Sequence, residues 1–318
     1  MRLTVRPIGA HELDAFASVG GERDDSLAES VAEMWSTGES SPEHCFVAEM
    51  DDVAVARVGV AAGPVADEIP QLEHRLFGLE VPWDAPDHVR FGRELLRAAL
   101  AALPADARTV DSRLNAETHD HLAERRAVLE VAGFGLFQEK QGFVWHGAGR
   151  SASEGGTPAG DTPLAYRTIA DVGRDRYGAV MAAAQVGTLD HNDRYYLQLS
   201  GEAAWGRIMT GFLTPGEEAG WLVATTAAGE DVGFVAVGSF DEPATGTIVH
   251  VGVLPAYRGR GHIHDLLRAA ARAAGQLGFK TMLSDVDVDN APMMAAMLRA
   301  GHSPTAREWH IWHYRLDL

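Results

Sequence analysis

From Val253 the chain reads VLPAYRGRGHI, and the residue types are those of an anion site. Arg258 and Arg260 offer charged, planar forks that match phosphate oxygens. Gly259 and Gly261 alternate with them and let a phosphate approach the main chain. The residues that follow place Ile263, Leu266, Leu267, Ala270, Ala274 and Leu277 on one helical face. The residues before, Thr247 to Leu254, are β-branched and apolar like an interior strand, and Pro255 ends that strand. At the start of such a helix unpaired amides point outward and the dipole favours negative charge. A P-loop would carry Lys-Ser or Lys-Thr where His262 and Ile263 stand. A dinucleotide fingerprint needs three spaced glycines and a later acid. Neither pattern is met.

Proton-transfer candidates lie close by. His250 sits on the strand before the loop, where imidazole titrates near neutrality; the plainer reading is a ladder histidine facing a helix. Asp285, Asp287 and Asp289 alternate with Val286 and Val288 near the end of the next strand, a placement suited to binding or deprotonating an ammonium group, or to a solvated strand end. Their spacing is that of a calcium loop, but Asn290 stands where glycine belongs and Ala296 where the bidentate Glu belongs. Upstream, Asp190, Asp193, Tyr195, Tyr196 and Trp205 suit an amine with an apolar or sugar body; the plainer reading is core aromatics and solvated acids. Fourteen histidines invite a metal, yet no His-x₃-His pair accompanies suitable acids on a helix, and no metal is expected.

The elements that must hold these residues come in two similar sets. LTVRPI (Leu3 to Ile8) and LAYRTI (Leu164 to Ile169) each open a half as a short strand. Each half then shows a hairpin, turning at Asp51-Asp52 and around Gly229-Glu230, and an Ala/Leu/Arg helix from Gly92 or His262. Each closes with a helix ending in Ala-Gly and an aromatic strand, QGFVWH or WHIWHY. On the last strand His310, Trp312 and Tyr314 share one face and Trp309, Ile311 and His313 the other, so one face is core and the other is available to line a pocket or an interface between the halves. Between the halves a Gly/Ser/Pro/Thr-rich stretch offers nothing to bury. The expected plan is an N-terminal domain over 1–147, a linker over 148–162 and a C-terminal domain over 163–318. The loop of glycines and arginines occurs only in the second.

Composition narrows the function. The 318 residues hold 46% hydrophobic and 23% charged side chains, enough for a core in each half. A formal charge of −18, from 45 acids against 27 bases, argues against a nucleic-acid partner, which needs a positive field, and suits a cationic small molecule. Cys45 is the only cysteine, so neither an internal disulfide nor a cysteine-built zinc site can form. No run of 18 apolar residues occurs and the first residues lack a signal-peptide core; the expectation is a cytoplasmic protein with no membrane partner, monomer or homodimer.

The segment Val253-x-Pro255-x-x-Arg258-Gly259-x-Gly261 resembles motif A of the GCN5-related N-acetyltransferase (GNAT) superfamily, and Asn290, with Gly301 eleven residues on, resembles its next motif. LEVAGF in the first half looks like the same helix end. The resemblance therefore spans both halves, with the two-domain plan of the mycothiol synthase group. It implies an α/β (α+β) fold of two tandem GNAT-like domains, each a mixed, mostly antiparallel sheet flanked by helices, the first degenerate and the second binding acetyl-CoA as co-substrate. It implies cofactor contacts at Val251, Val253, Arg258, Gly259, Arg260, Gly261, His262, Ile263, Asn290 and Met293. It also implies direct attack of a small-molecule primary amine on the thioester, with His250 and Asp287 as candidate catalytic groups. Many members protonate the departing thiolate with a tyrosine seven residues after the Asn; here that position is Met297. A thiol pKa of about 8.5 makes the thiolate a tolerable leaving group without that donor. The substitution leaves open a non-catalytic acyl-CoA sensor or partner module, and the charge of −18, which suits basic peptides, a protein or peptide N-acetyltransferase.

Overall fold

The computed structural model describes residues 3–62, 73–105, 107–147, 163–240 and 242–315. The expected linker, 148–162, lies outside the described residues. In chain order the elements are β1 (Leu3–Pro7), α1 (Leu13–Ala17), α2 (Asp25–Thr37), β2 (Cys45–Met50), β3 (Val53–Ala62), β4 (Glu73–Glu80), α3 (His88–Ala101), β5 (Thr109–Asn115), α4 (Leu122–Val131) and β6 (Gly135–His146). They continue with β7 (Ala165–Thr168), α5 (Ile169–Val172), α6 (Arg174–Gln185), α7 (His191–Ser200), α8 (Glu202–Gly211), β8 (Trp221–Thr225), β9 (Asp231–Ser239), β10 (Thr245–Val253), α9 (His262–Gln276), β11 (Thr281–Asp287), α10 (Ala291–Arg299) and β12 (Ser303–Arg315). Among the described residues no helix is long and apolar enough to cross a membrane.

Packing divides the chain into two compact units, Met1–Phe137 with His310–Leu318, and Gln138–Trp309. The division falls inside the last strand of each half, not between 147 and 163 as the sequence reading has it. In the first unit the strands run in the order β1-β2-β3-β4-β5, with β12 beside β5. From β1 to β5 neighbours are antiparallel except β4 with β5. The β2–β3 turn forms at Asp51 and Asp52, both left-handed (φ 52° and 65°), whose twist matches that of the strands. Residues 310–313 of β12 are all buried, so both of its faces are covered over that stretch. Trp312 joins the core, Tyr314 packs on Phe134 and His313 stacks on Phe137. That burial lowers the pKa of His313 to about 4.

In the second unit the order is β7-β8-β9-β10-β11-β6, with β12 beyond β6. Strand β9 shows why the sheet is covered on both sides. Phe234 and Ala236 pack with Tyr177, Met181 and Trp205 of α6 and α8, whereas Val235 and Val237 pack with Ala269, Ala270 and Ala274 of α9. Each fully buried large apolar side chain of this kind contributes about 1.5–3 kcal/mol. Helices α6 and α8 meet at Gly178 and Gly206, where a β-carbon on Gly206 would lie 2.5 Å from the Gly178 carbonyl oxygen. That close approach brings Trp205 against β10.

Two irregularities shape β10. Its register against β9 shifts between Ile248 and His250, a bulge that places an extra residue at Val249. Its parallel ladder with β11 covers only Thr245–Thr247 against Thr281–Leu283. Beyond those three pairs the strands part, leaving Ile248 and His250 to Val253 paired with β9 alone among the described residues.

Candidate active site

Immediately after the parted segment comes the glycine loop. Gly259 and Gly261 both lie in the left-handed region, at φ 77° and 83°, and a β-carbon at Gly259 would meet nothing within 4 Å. Gly261 is the residue before α9, so the first amides of a fifteen-residue helix open into that space. Arg260 is exposed, its guanidinium 5.4 Å from the centre of the Tyr257 ring. The His262 side chain is buried against Tyr257 and lies 3.4 Å from Asp265, so its main-chain amide is what it can offer an anion. Arg258 donates to three carbonyls, those of Val253, Gly187 and Ala184. Val251 and Val253 are on the parted segment, opposite Val235 and Gly233 of β9. Asn290 accepts from the Met293 amide at 3.2 Å and caps α10. Ile263 and Met293 are half-buried against Phe143, Leu267, Val286, Ala296 and Met297. Met297 itself is 2% exposed, part of that core, with no proton to give.

His250, just past the bulge, is held on three sides. Its Nε2 lies 3.1 Å from Asp193 and 2.9 Å from the Gln185 amide, and its ring packs on Trp205 and Phe234. Burial opposes its charge, but Asp193, hydrogen-bonded to it, and Asp190 together raise its pKa above the ordinary value. Asp193 is 13% exposed at its side chain. Asp190 caps α7 by accepting from the Asp193 amide, and burial and the neighbouring Asp193 charge raise its pKa. These acids are not solvated, contrary to the plainer sequence reading, because His250, the helix start and Lys140 compensate them. Trp205 and Tyr196, by contrast, belong to the core as that reading holds.

Asp287 departs further from a solvated strand end: it is 1% exposed. One carboxylate oxygen accepts from the His191 amide, His191 Nδ1 and Gln138 Nε2, and the other from the Asp289 amide. Burial would raise its pKa, and those donors hold it below the usual carboxylate value. Gln138 also donates to Asp190 at 3.2 Å, so one amide ties the end of β11 to the start of α7. Lys140, 2.9 Å from Asp285 and 3.9 Å from Asp190, keeps a raised pKa although burial works against it. Ligand atoms of His191, Asp287 and Asp289 lie within 4.8 Å of one another, as a metal would need. The Asp287 lone pairs, however, already face donors. Gln138, Lys140, Gln185 and His191 were invisible as site residues in the sequence; the one local signal was Asp190 followed three residues later by Asp193, a helix start.

A parted strand pair, a bulge and a glycine loop opening onto a helix are the features to set beside known proteins. Residues 186–302, within the second unit, match the Acetyltransferase (GNAT) family. In fold the chain is similar to a GCN5-related N-acetyltransferase from Sphaerobacter thermophilus, at 20% identity over 98% of this chain and 95% of the other, with a TM-score of 0.57. It is similar also to a tandem GNAT protein from the clavulanic acid biosynthesis pathway, at 16% identity over 99% of this chain and 98% of that one, TM-score 0.52. The glucosamine N-acetyltransferase region of a fungal multi-domain β-N-acetylglucosaminidase is matched at 14% identity, over 98% of this chain and 38% of that one, TM-score 0.54. At such identities the likeness is one of fold, and the fold is that of tandem GNAT proteins. Among curated proteins none is significantly similar in sequence.

Proposed function

We propose that the second unit transfers acetyl from acetyl-CoA to the primary amine of a small molecule by direct attack. The observation that carries this reading is the combination of a parted strand, a glycine loop at a helix start and, just past the bulge of β10, a half-buried His–Asp pair. The amides from Gly259 to His262 and the α9 dipole take the pyrophosphate, with Arg260 as countercharge. The main chain of Val251 and Val253 faces the pantetheine arm, and a backbone amide there stabilises the oxyanion. The acceptor arrives as an ammonium with a pKa of about 10, drawn by Asp190 and Asp193, and must lose a proton to attack. His250 receives that proton, a contribution of about 10²–10⁴-fold. The amine nitrogen bonds to the acyl carbon, the C–S bond breaks and the thiolate departs.

The burial of Met297 favours one second reading, an acyl-CoA sensor that binds without turnover. Calorimetry with acetyl-CoA, CoA and ATP, followed by thiol release against a panel of primary amines, separates the two. The expected result is one acetyl-CoA per chain and amine-dependent CoA release. In Gly261→Glu a carboxylate sits where phosphate must go, and binding is lost while the melting curve stays cooperative. Wild-type affinity in that variant would remove the loop assignment, and binding with silence toward every amine would leave the sensor.

A further inference from the structure

Arg258 is a cation inside the proposed phosphate loop, yet its donors point into the protein's own main chain. Its Nε donates to the Val253 carbonyl at 3.1 Å, Nη1 to that of Gly187 at 3.2 Å and Nη2 to that of Ala184 at 2.8 Å. Val253 ends β10, Ala184 lies in the last turn of α6, and Gly187 follows that turn. The guanidinium is thus a cap on the C-terminus of α6, where carbonyls lack helical partners and the dipole favours a cation. Gly187 is left-handed at φ 68°, and a β-carbon there would come within 3.4 Å of Arg258 Nη1.

One of the two residues between those carbonyls leads to the site. Gln185 is the last residue of α6, buried, with its amide 2.9 Å from His250 Nε2. A β-carbon on Gly252 would lie 3.1 Å from Ala184 Cβ and 3.5 Å from Gln185 Nε2, so this turn packs on β10 without slack. Three residues past Gly187 begins the cap of α7, which sets Asp193 against His250. We propose that Arg258 is a positioning residue and not a phosphate ligand: through the C-terminal turn of α6 it holds Gln185 and Asp193 against His250, so the loop that receives the acyl donor also orders the base. The role of His250 as base rests on the acetyltransferase reading above, but the coupling is testable without turnover.

The test follows His250 in the full chain by NMR of ¹³C-labelled histidine across pH, assigned with His250→Gln, alongside acetyl-CoA calorimetry. The groups facing His250 are Asp193, Asp190, Lys140, Gln185 and the rings of Trp205 and Phe234, so a displaced turn registers in its titration. In Arg258→Met the acetyl-CoA Kd is expected to stay within about threefold of wild type. His250 should titrate lower by about half a unit or more, as Asp193 moves away. Arg260→Met should do the reverse, raising Kd about tenfold or more through loss of a charge-assisted contact and leaving His250 unmoved. Gly187→Ala, outside the glycine loop, should lower the His250 midpoint like Arg258→Met, and Arg258→Lys should fall between. A Kd raised tenfold in Arg258→Met, or a His250 titration unchanged in both Arg258→Met and Gly187→Ala, overturns the proposal. Failure of wild type to bind acetyl-CoA would instead overturn the acetyltransferase reading, and the His250 titrations would still decide the role of Arg258.

Discussion

His250 is pulled in two directions. Burial disfavours its charge, while the hydrogen bond and charge of Asp193, with Asp190 behind it, favour it and prevail. As a base it must be neutral, so kcat/KM should fall on the acid side with a midpoint above the ordinary histidine value of about 6.5. Stability runs the other way. A histidine whose native pKa is raised contributes stability that is fully present below the unfolded value of about 6.5 and lost as pH rises through the native value. Activity should therefore climb over the window in which the melting temperature declines. His250→Gln should lower the rate by about 10²–10⁴ and flatten both profiles. A pH–rate profile beside melting curves checks this, and an unchanged acid limb in His250→Gln would move the base elsewhere. The histidine was legible from its place before the loop. Its partners were not: Gln185 is 65 positions away, and the Gln138–Asp287 contact spans 149, distances at which one sequence carries no pairing signal. Arg258 was legible as a cation beside glycines, but the direction of its side chain depends on where α6 ends.

At the scale of elements, the two units share a device and differ in its use. The ladder of β4 with β5 covers only Glu73–Arg75 against Thr109–Asp111, and β4 also shifts register, between the partners of Arg57 and Gly59. Helix α3, however, begins behind Asp87, a carboxylate where a phosphate would need a donor. Arg125 of α4 donates to the Leu79 carbonyl and to Glu80, and lies 4.3 Å over the buried Trp83 ring. A guanidinium and an indole thus fill the space beside β4, and this unit is expected to take no acetyl-CoA. Gly92 supports that packing, since a β-carbon there would lie 2.3 Å from Val128. Gly92→Ala should destabilise the protein by about 1–3 kcal/mol through overpacking. Acetyl-CoA should still bind one per chain with unchanged affinity. Calorimetry below the lowered melting temperature checks both, and a weakened Kd or a second site lost in that variant would contradict it. The hairpins and the α9 helix were readable from turn residues and period. The sequence began α3 at Gly92, four residues late, because an Asp cap followed by His-Val-Arg carries little apolar period. The three aspartates looked alike because alternation gives a face but not the donors that bury Asp287.

Across the whole chain, the repeat hides an exchange. QGFVWH and WHIWHY occupy the same place in each half, so the sequence assigns each to its own half. Instead β6 pairs with β11 over Thr281 to Asp287, inside the second unit, and the end of β12 lies with the first. Two aromatic strands of the same pattern give no sequence cue to which sheet each joins. The exchange has a consequence for the site, because β6 brings Gln138 to Asp287 and Lys140 to Asp285 and Asp190. Residues 163–318 alone would keep the glycine loop and His250 but expose the edge of β11 and leave Asp287 buried without one of its donors. An unpaired apolar edge invites aggregation, and a lost partner for a buried carboxylate costs about 1–3 kcal/mol. We therefore expect residues 163–318 expressed alone to be insoluble or to bind no acetyl-CoA. Co-expression with residues 1–147 should restore one acetyl-CoA per pair of fragments, since strand pairing needs no covalent link. Solubility and calorimetry on the single and co-expressed fragments test this. A soluble 163–318 fragment with full-chain affinity would show that β6 is dispensable and that the second half supports its site unaided.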